Sequence, residues 1–547
     1  MLKAIAKLLA AAATIVAAGS LNHACAQDSS FDIVRFQIEG NSILPAQRTL
    51  ELVAPFVGRR KNYGDVQKAL EALEGDYRRL GFGTVQVYVP EQELTSGVVK
   101  LQVSEGVVGK VTITGNKHFN NENVRASLPN LKEGTAPNMR QLSENVQLTN
   151  ENPAKQVEVT LGVSEEEGKV DVKVEVKEED PERFYVTLDN TGTRASGKHR
   201  IGFSYQNANV GNSDQVVTLA YTTALDAPGG VKVDIFSVGY RLPLYSLGDS
   251  IDVIYGNSST NTPASVLAPG GTLAINGKGA VFGLRYNHIF PRAGEFTSKL
   301  VMGFDYKFMN STCTTAGVPT APGVTASCTP YTLRPITATY SGQWQKPGEA
   351  IDFNVGFTHH LFPMGSYYPG VAGTDRYSFV TGRQTSDTFT ALRLGGSYSA
   401  AISGEWMGRA AISGQHAQNP LPAGEQIGLT GGSAVRGFLE RAVSTDRGYF
   451  ANLELYSPDY ASKMGVEGSL KGLIFYDWAS GHNLAATTFS RSNVSSMGVG
   501  LRYNLKKDIS ARFDIARVLE GHQPGPGTAE AAKPGDIRGH FGLAFGF

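Results

Sequence analysis

The chain ends in HFGLAFGF, residues 540–547. Successive side chains of an extended strand point to opposite faces, so Phe541, Leu543, Phe545 and Phe547 share one apolar side. The intervening Gly542, Ala544 and Gly546 are small. A chain that finishes on such a strand must cover the strand's unpaired edge. Closing the sheet on itself does so and leaves no edge at all. The stretch therefore suits the last strand of a β-barrel.

Working outward from it, alternating segments recur at 183–190, 198–208, 215–223, 231–242, 249–257, 277–289, 296–309, 332–345, 349–362, 386–400, 404–417, 447–458, 466–478, 495–505, 509–518 and 538–547. Each is long enough to cross a bilayer at a tilt. Links after even-numbered segments are mostly short, as at Gln345–Gly348 and Lys506–Asp508. Links after odd-numbered segments lengthen from the fifth onward: 258–276, 310–331, 363–385, 418–446, 479–494 and 519–537. A membrane barrel with an even strand number produces this alternation when its amino terminus lies on the short-turn side. The expectation is a 16-stranded antiparallel transmembrane barrel over 181–547.

Composition agrees. Of 547 residues 63 are Gly, 22 Tyr and 26 Phe, which suits a β-rich protein. Fifty basic and fifty acidic residues leave no net charge to attract nucleic acid. Met1 to Ala26 reads as a signal peptide: Lys3 and Lys7, an apolar core from Leu8 to Ala18, and Ala24-Cys25-Ala26 as the cleavage site. A lipidated Cys25 fits poorly, because Asn22 stands where a Leu is wanted. No run of 18 apolar residues follows, so no transmembrane helix is expected. Cys313 and Cys328 bracket TTAGVPTAPGVTAS, a loop of exposed turn residues, and are expected to form a structural disulfide. A metal at these cysteines has no nearby His or Cys to complete it, and no metal or cofactor is expected elsewhere. GxSxG, HExxH and Cys-x-x-Cys are absent, GTLAINGKG (271–279) misses the phosphate-loop spacing, and His359-His360 sit at a strand end. Catalysis is not expected.

Residues 27–106 and 107–180 read as two small α+β modules. The first opens with IVRFQIEG and the turn Asn41 to Pro45, then a helix from Asp65 to Leu80, capped by Asp65. Val66, Ala69, Leu70, Leu73, Tyr77 and Leu80 fall on one face of it. Gly81 ends the helix, and strands TVQVYVP and VVKLQVSEG follow with a turn at Thr95-Ser96-Gly97. GKVTITGNKHF (109–119) repeats VRFQIEGNSIL (34–44) about 75 residues on. A helical region from Asn138 to Leu148 then leads to the amphipathic hairpin QVEVTLGVSEEEGKVDVKVEVKEED. Its acidic runs, Glu165 to Glu167 and Glu178 to Asp180, are expected to be solvated turn and linker.

The stretch EQIGLTGGSAVRGFLERAVSTDRG (425–448) covers the end of the link 418–446 and enters the next segment. A loop that long without structure of its own is commonly functional. Gly431, Gly432, Val435, Arg436, Gly437 and Phe438 form a tip able to fold back and place one cation in a confined space. GLIFYDWASG (472–481) supplies a partner: alternation puts Phe475 and Asp477 on one face, and a carboxylate avoids the lipid face. An Arg436–Asp477 fork would lock the loop inside the pore.

These features resemble known families. YRRLGF, YVPEQELTSGVVKLQVSEG and NPAKQVEV are similar to polypeptide-transport-associated (POTRA) modules, which bind extended chains by strand addition. VRGF after Gly431-Gly432, FYDWAS (with Ala479 where the family has Gly) and LDNTGTRASGKHR (188–200) resemble the two-partner secretion transporters, TpsB, of the outer-membrane insertase superfamily. HFGLAFGF resembles the carboxy-terminal signal read by the barrel-assembly machinery. The resemblance implies an outer-membrane transporter with periplasmic POTRA modules that secretes an unfolded exoprotein, recognised through its amino-terminal secretion domain. An insertase for other barrels is the alternative. The family's amino-terminal plug helix has no counterpart, since only Gln27 to Ser30 precede the first strand. The expectation is a resting pore gated by the Arg436 loop alone.

Overall fold

The computed structural model describes residues 30–547 apart from 94–95, 195, 230, 260–262, 269–270, 277, 310–313, 316–317, 320–330, 361–387, 485–490 and 523–530. The signal peptide, Cys313 and Cys328 lie outside the described residues. No helix of the described residues is long and apolar enough to cross a membrane.

In the first module, strand Arg35–Glu39 pairs in parallel with Val98–Ser104, and Gln86–Tyr88 pairs antiparallel with the latter. Helix Tyr63–Arg79 buries Val66, Ala69, Leu73 and Tyr77 in one core with Phe36, Val99, Leu101 and Val103. The cap differs from expectation. Asn62 is the N-cap: its side chain accepts from the Asp65 N–H, and the Asp65 carboxylate accepts from the Asn62 N–H. Asp65 is thus the third residue of a capping box. A further helix, Ala46–Val53, follows Pro45; it buries only Thr49 and Val53, too short a stripe to read by periodicity.

The internal repeat has a physical basis. Gly40 (φ +80°) and Gly115 (φ +90°) close equivalent turns, and a Cβ on either would lie 2.3 Å from a carbonyl oxygen, Val103 O or Val176 O. Each glycine precedes an Asn whose side chain donates to a carbonyl three residues on, Asn41 to Leu44 and Asn116 to Phe119. A carboxylate then holds each turn. Glu105 accepts from the N–H groups of Ser42 and Ile43, and Glu178 from those of Lys117, His118 and Phe119. Glu178 is therefore a turn-fixing residue and not part of a solvated linker. The second module adds helices Asn121–Ser127 and Met139–Asn150 and the strands Val107–Thr114, Lys155–Val163 and Lys169–Glu178, with Lys155–Val163 at a sheet edge.

The barrel is closed and has sixteen strands, here numbered 1 to 16 in chain order. They are Glu182–Asp189, Arg200–Val210, Gln215–Ala224, Asp234–Leu244, Asp249–Ser258, Gly279–Ala293, Phe296–Met309, an eighth in two pieces, Glu349–His360, Thr390–Ser403, Trp406–Ala417, Arg447–Tyr456, Ser469–His482, Arg491–Leu505, Ile509–Glu520 and Ile537–Gly546. The eighth, Tyr331–Leu333 and Pro335–Lys346, pairs with strand 7 on both sides of its break. Strand 13 runs four residues past its expected end, and strand 14 starts four residues before its expected start, at Arg491. Strand 16 pairs with strand 1 from Gly542↔Asp189 to Gly546↔Tyr185, which closes the sheet. Strand 13 illustrates the two faces: Ile474 and Tyr476 are exposed on the lipid side, while Leu473, Phe475, Asp477 and Ala479 are buried on the lumen side.

The second module shares buried charge with the barrel. Lys155 Nζ lies 2.5 Å from Asp214, in the turn after strand 2, and both side chains are excluded from solvent. Asn123 Nδ2 and the Tyr245 hydroxyl also donate to Asp214. At the end of helix Met139–Asn150, Glu151 accepts from Arg241 on strand 4 (3.0 Å) and Lys299 on strand 7 (2.8 Å).

Candidate functional site

The loop 418–446 leaves strand 11, enters the lumen and returns to strand 12. Its limbs pair at Ile427–Gly428 with Ser444–Thr445. Leu429, Val435, Phe438 and Val443 form a small apolar core with Ala479, Val494 and Val518 of the barrel wall. Burial of these side chains holds the tip inward. The glycines are required by space. Gly431 has φ +125°, and a Cβ there would overlap the Glu440 carboxylate, which accepts from the Gly432 N–H at 2.6 Å. Gly437 has φ +94°, lies against Ala516 and Val518, and donates its N–H to His540 Nε2 at 2.9 Å.

Arg436 is 3% exposed and uses every side of its guanidinium. Nε and Nη2 donate to the two oxygens of Asp477, both at 2.7 Å, and the backbone N–H of Arg436 donates to the same carboxylate. Nη1 lies 3.0 Å from Glu454 and 3.6 Å from Asp514. The guanidinium carbon sits 3.5 Å over the Phe475 ring. This is the bidentate fork plus cation–π stacking that only Arg supplies. Arg409 pairs with Glu454 and Arg502 with Asp514, so three cations meet three carboxylates on strands 11 to 15 and the loop. Burial disfavours the charged form, but Asp477, Glu454 and Asp514 together raise the pKa of Arg436.

The structure thus brings together all the loop residues named from sequence with Phe475 and Asp477. It adds others. Asn452, directly opposite Asp477 on strand 12, donates to Asp477 and to Ala434 O, both at 2.8 Å. Gly498, opposite Phe475, makes room for the ring: a Cβ there would lie 2.5 Å from Phe475 Cζ. Asp514 shares its strand with Arg512, Arg517 and Glu520, so no lone carboxylate marked it in the sequence.

A second ion cluster holds the loop's other limb. Glu425 is buried, with Lys307 Nζ of strand 7 at 2.7 Å and Arg393 Nη2 of strand 10 at 3.0 Å. Gln415 Nε2 donates to the Glu425 carbonyl, and Asp305 bridges Lys307 and Arg285. Burial alone would raise the Glu425 pKa, yet Lys307 and Arg393 hold it down to about 2. The loop is therefore held to the barrel wall at two places, Arg436 and Glu425. Nothing in the sequence links Glu425 to Lys307, 118 residues away.

At the chain end, Phe545 and Phe547 are exposed, and Phe541 stacks on Phe513, an exposed residue of strand 15. The backbone of Phe547 exchanges hydrogen bonds with Phe184, extending the closing seam by a residue.

Comparison with known proteins places these features in a family. Residues 168–503 match the haemolysin secretion/activation protein family ShlB/FhaC/HecB, 31–106 the ShlB-type POTRA domain, and 107–179 a second POTRA family described as surface antigen variable number repeat. The chain is 20% identical to the heme/hemopexin transporter protein HuxB of Haemophilus influenzae over 514 residues, covering 91% of this chain and 85% of that protein. It is 21% identical to the outer membrane transporter CdiB of Dickeya dadantii over 437 residues, 78% of this chain and 73% of that one. Among solved structures, CdiB from Escherichia coli superposes with a TM-score of 0.70 at 18% identity, covering 96% of this chain and 92% of the other. CdiB from Acinetobacter baumannii gives 0.65 at 14%, with coverages of 95% and 90%.

Proposed function

The chain belongs to the haemolysin secretion/activation family of ShlB, FhaC and HecB, and on that premise we propose how its parts divide the work of export. It is a two-partner secretion transporter and not an enzyme, with its barrel in the outer membrane and its POTRA modules in the periplasm. The family exports a partner exoprotein.

The partner arrives unfolded, and its amino-terminal secretion domain adds as a strand to an open module edge. Lys155–Val163 suits this: it is nine residues long, stands at a sheet edge, and ends in a fully exposed Val163. The Arg436 loop keeps the resting barrel closed. Phe541, Leu543, Phe545 and Phe547 serve as the signal by which the assembly machinery inserts the barrel among outer-membrane lipid. Folding outside gives travel its direction, since no nucleotide is available in the periplasm. The observation that carries this reading is the loop itself, tied into the lumen by the Arg436–Asp477 fork.

The test is capture by the full-length transporter in lipid discs, exposed to unfolded periplasmic precursors, cross-linked and read by mass spectrometry. One large exoprotein, linked through its amino-terminal region, is expected. A broad set of barrel precursors would instead make the protein an assembly factor.

A further inference from the structure

The loop occupies the lumen unevenly. Its tip is bound to strands 12, 13, 15 and 16 through Arg436 and Gly437, whereas the opposite wall meets it at Glu425. Along strands 7 to 11 two cavities remain, of about 500 and 670 Å³, which share Asn354 and Ser413. The larger reaches Ser143, Gln147 and Glu151 of the second module, and the smaller ends at Glu425.

The wall between them carries small or polar side chains. Strand register sets Ser341, Asn354, Gly395 and Ser413 side by side across strands 8 to 11. The next lumen-facing row toward the outer end holds Thr339, Gly356, Arg393 and Gln415. Such side chains leave room and offer hydroxyl and amide partners to a passing backbone, without a bulky apolar surface on which a side chain would stick. Around the smaller cavity Arg285, Lys307, Arg393 and Arg441 outnumber Asp305 and Glu425.

We infer that the exported chain travels extended along this polar wall and leaves past Glu425, while Arg436 stays locked on Asp477. Carboxylates of the travelling chain replace Glu425 on Lys307 and Arg393. Displacing Glu425 moves one carboxylate, whereas freeing Arg436 unpairs a cation from three. Lys307 keeps Asp305 at 3.6 Å while Arg393 loses its carboxylate partner, so an incoming Asp or Glu restores the pair and makes the exchange nearly neutral. The excess of cations then favours acidic, Gly/Ser-type extended segments over basic ones. The route rests on the transport reading given above.

The experiment uses the full-length transporter in a planar bilayer. Gly/Ser peptides of about twenty residues, long enough when extended to span the membrane, carry either Glu or Lys at matched positions and are added on the module side. The Glu peptide should give discrete current blockades, and the Lys peptide few. Glu425→Gln should raise the Glu-peptide blockade rate about tenfold, the factor set by losing a bond to a charged group. A bulky thiol adduct on Thr339→Cys should abolish the blockades. Blockades unchanged in Glu425→Gln, or persisting past the Thr339→Cys adduct, would overturn the route and leave the transport reading standing. No blockade by either peptide in any variant would likewise overturn the route and leave the transport reading standing.

Discussion

A guanidinium buried beside three carboxylates is stable only as part of the set, because removing one member leaves the others uncompensated. Arg436→Ala strands Asp477 between Asn452 and an empty space, and should destabilise the in-folded loop by about 3–5 kcal/mol. The expected result is a noisier, more conductive channel in planar bilayers and faster protease nicking within 418–446; an unaltered trace would count against a locking role. The Glu425 cluster predicts a pH response of definite sign. Its pKa is lowered from 4.5 to about 2, so its contribution is complete above about pH 4.5 and is lost as pH falls through about 2. Conductance attributable to this latch should therefore be flat from about pH 8 to about pH 5 and rise only in stronger acid. Asp477 was legible because a carboxylate interrupts an aromatic strand. Glu425 was not: it lies in a loop, and its partners are set by barrel closure.

At the scale of elements, the two module turns show how a repeat in sequence becomes one in structure. Gly40 and Gly115 each combine a positive φ with a carbonyl where a Cβ would go, so no other residue fits. The helix cap permits a quantitative check. Asn62→Ala should cost about 1 kcal/mol and speed amide exchange in the first turn of Tyr63–Arg79, leaving the helix's last turn unchanged. Equal acceleration at both ends would show the capping box to be unimportant. The helix was readable from its apolar face, and its start was misplaced because Asn62 and Asp65 are both good caps. The short Ala46–Val53 escaped notice because one buried turn gives periodicity nothing to repeat.

At the scale of the molecule, sixteen strands could be counted because apolar side chains recur at alternate positions along each strand and turn residues interrupt them. The break in strand 8 and the end of strand 13 could not, since both follow from pairing with a neighbour. Closure depends on a short seam ending at Phe547, whose backbone bonds twice to Phe184. Deleting Phe547 should lower the yield of folded barrel, seen as loss of the heat-modifiable band on gels; full yield would remove this residue from any assembly role. Lys155 and Asp214 carry a different consequence. Because that buried pair joins the second module to the turn after strand 2, the two are not interchangeable parts. A chimera whose foreign second module lacks this lysine leaves Asp214 buried with Tyr245 but without its cation, whereas one that exchanges the first module alone keeps the pair, so cargo range can be re-engineered most safely from the amino-terminal side.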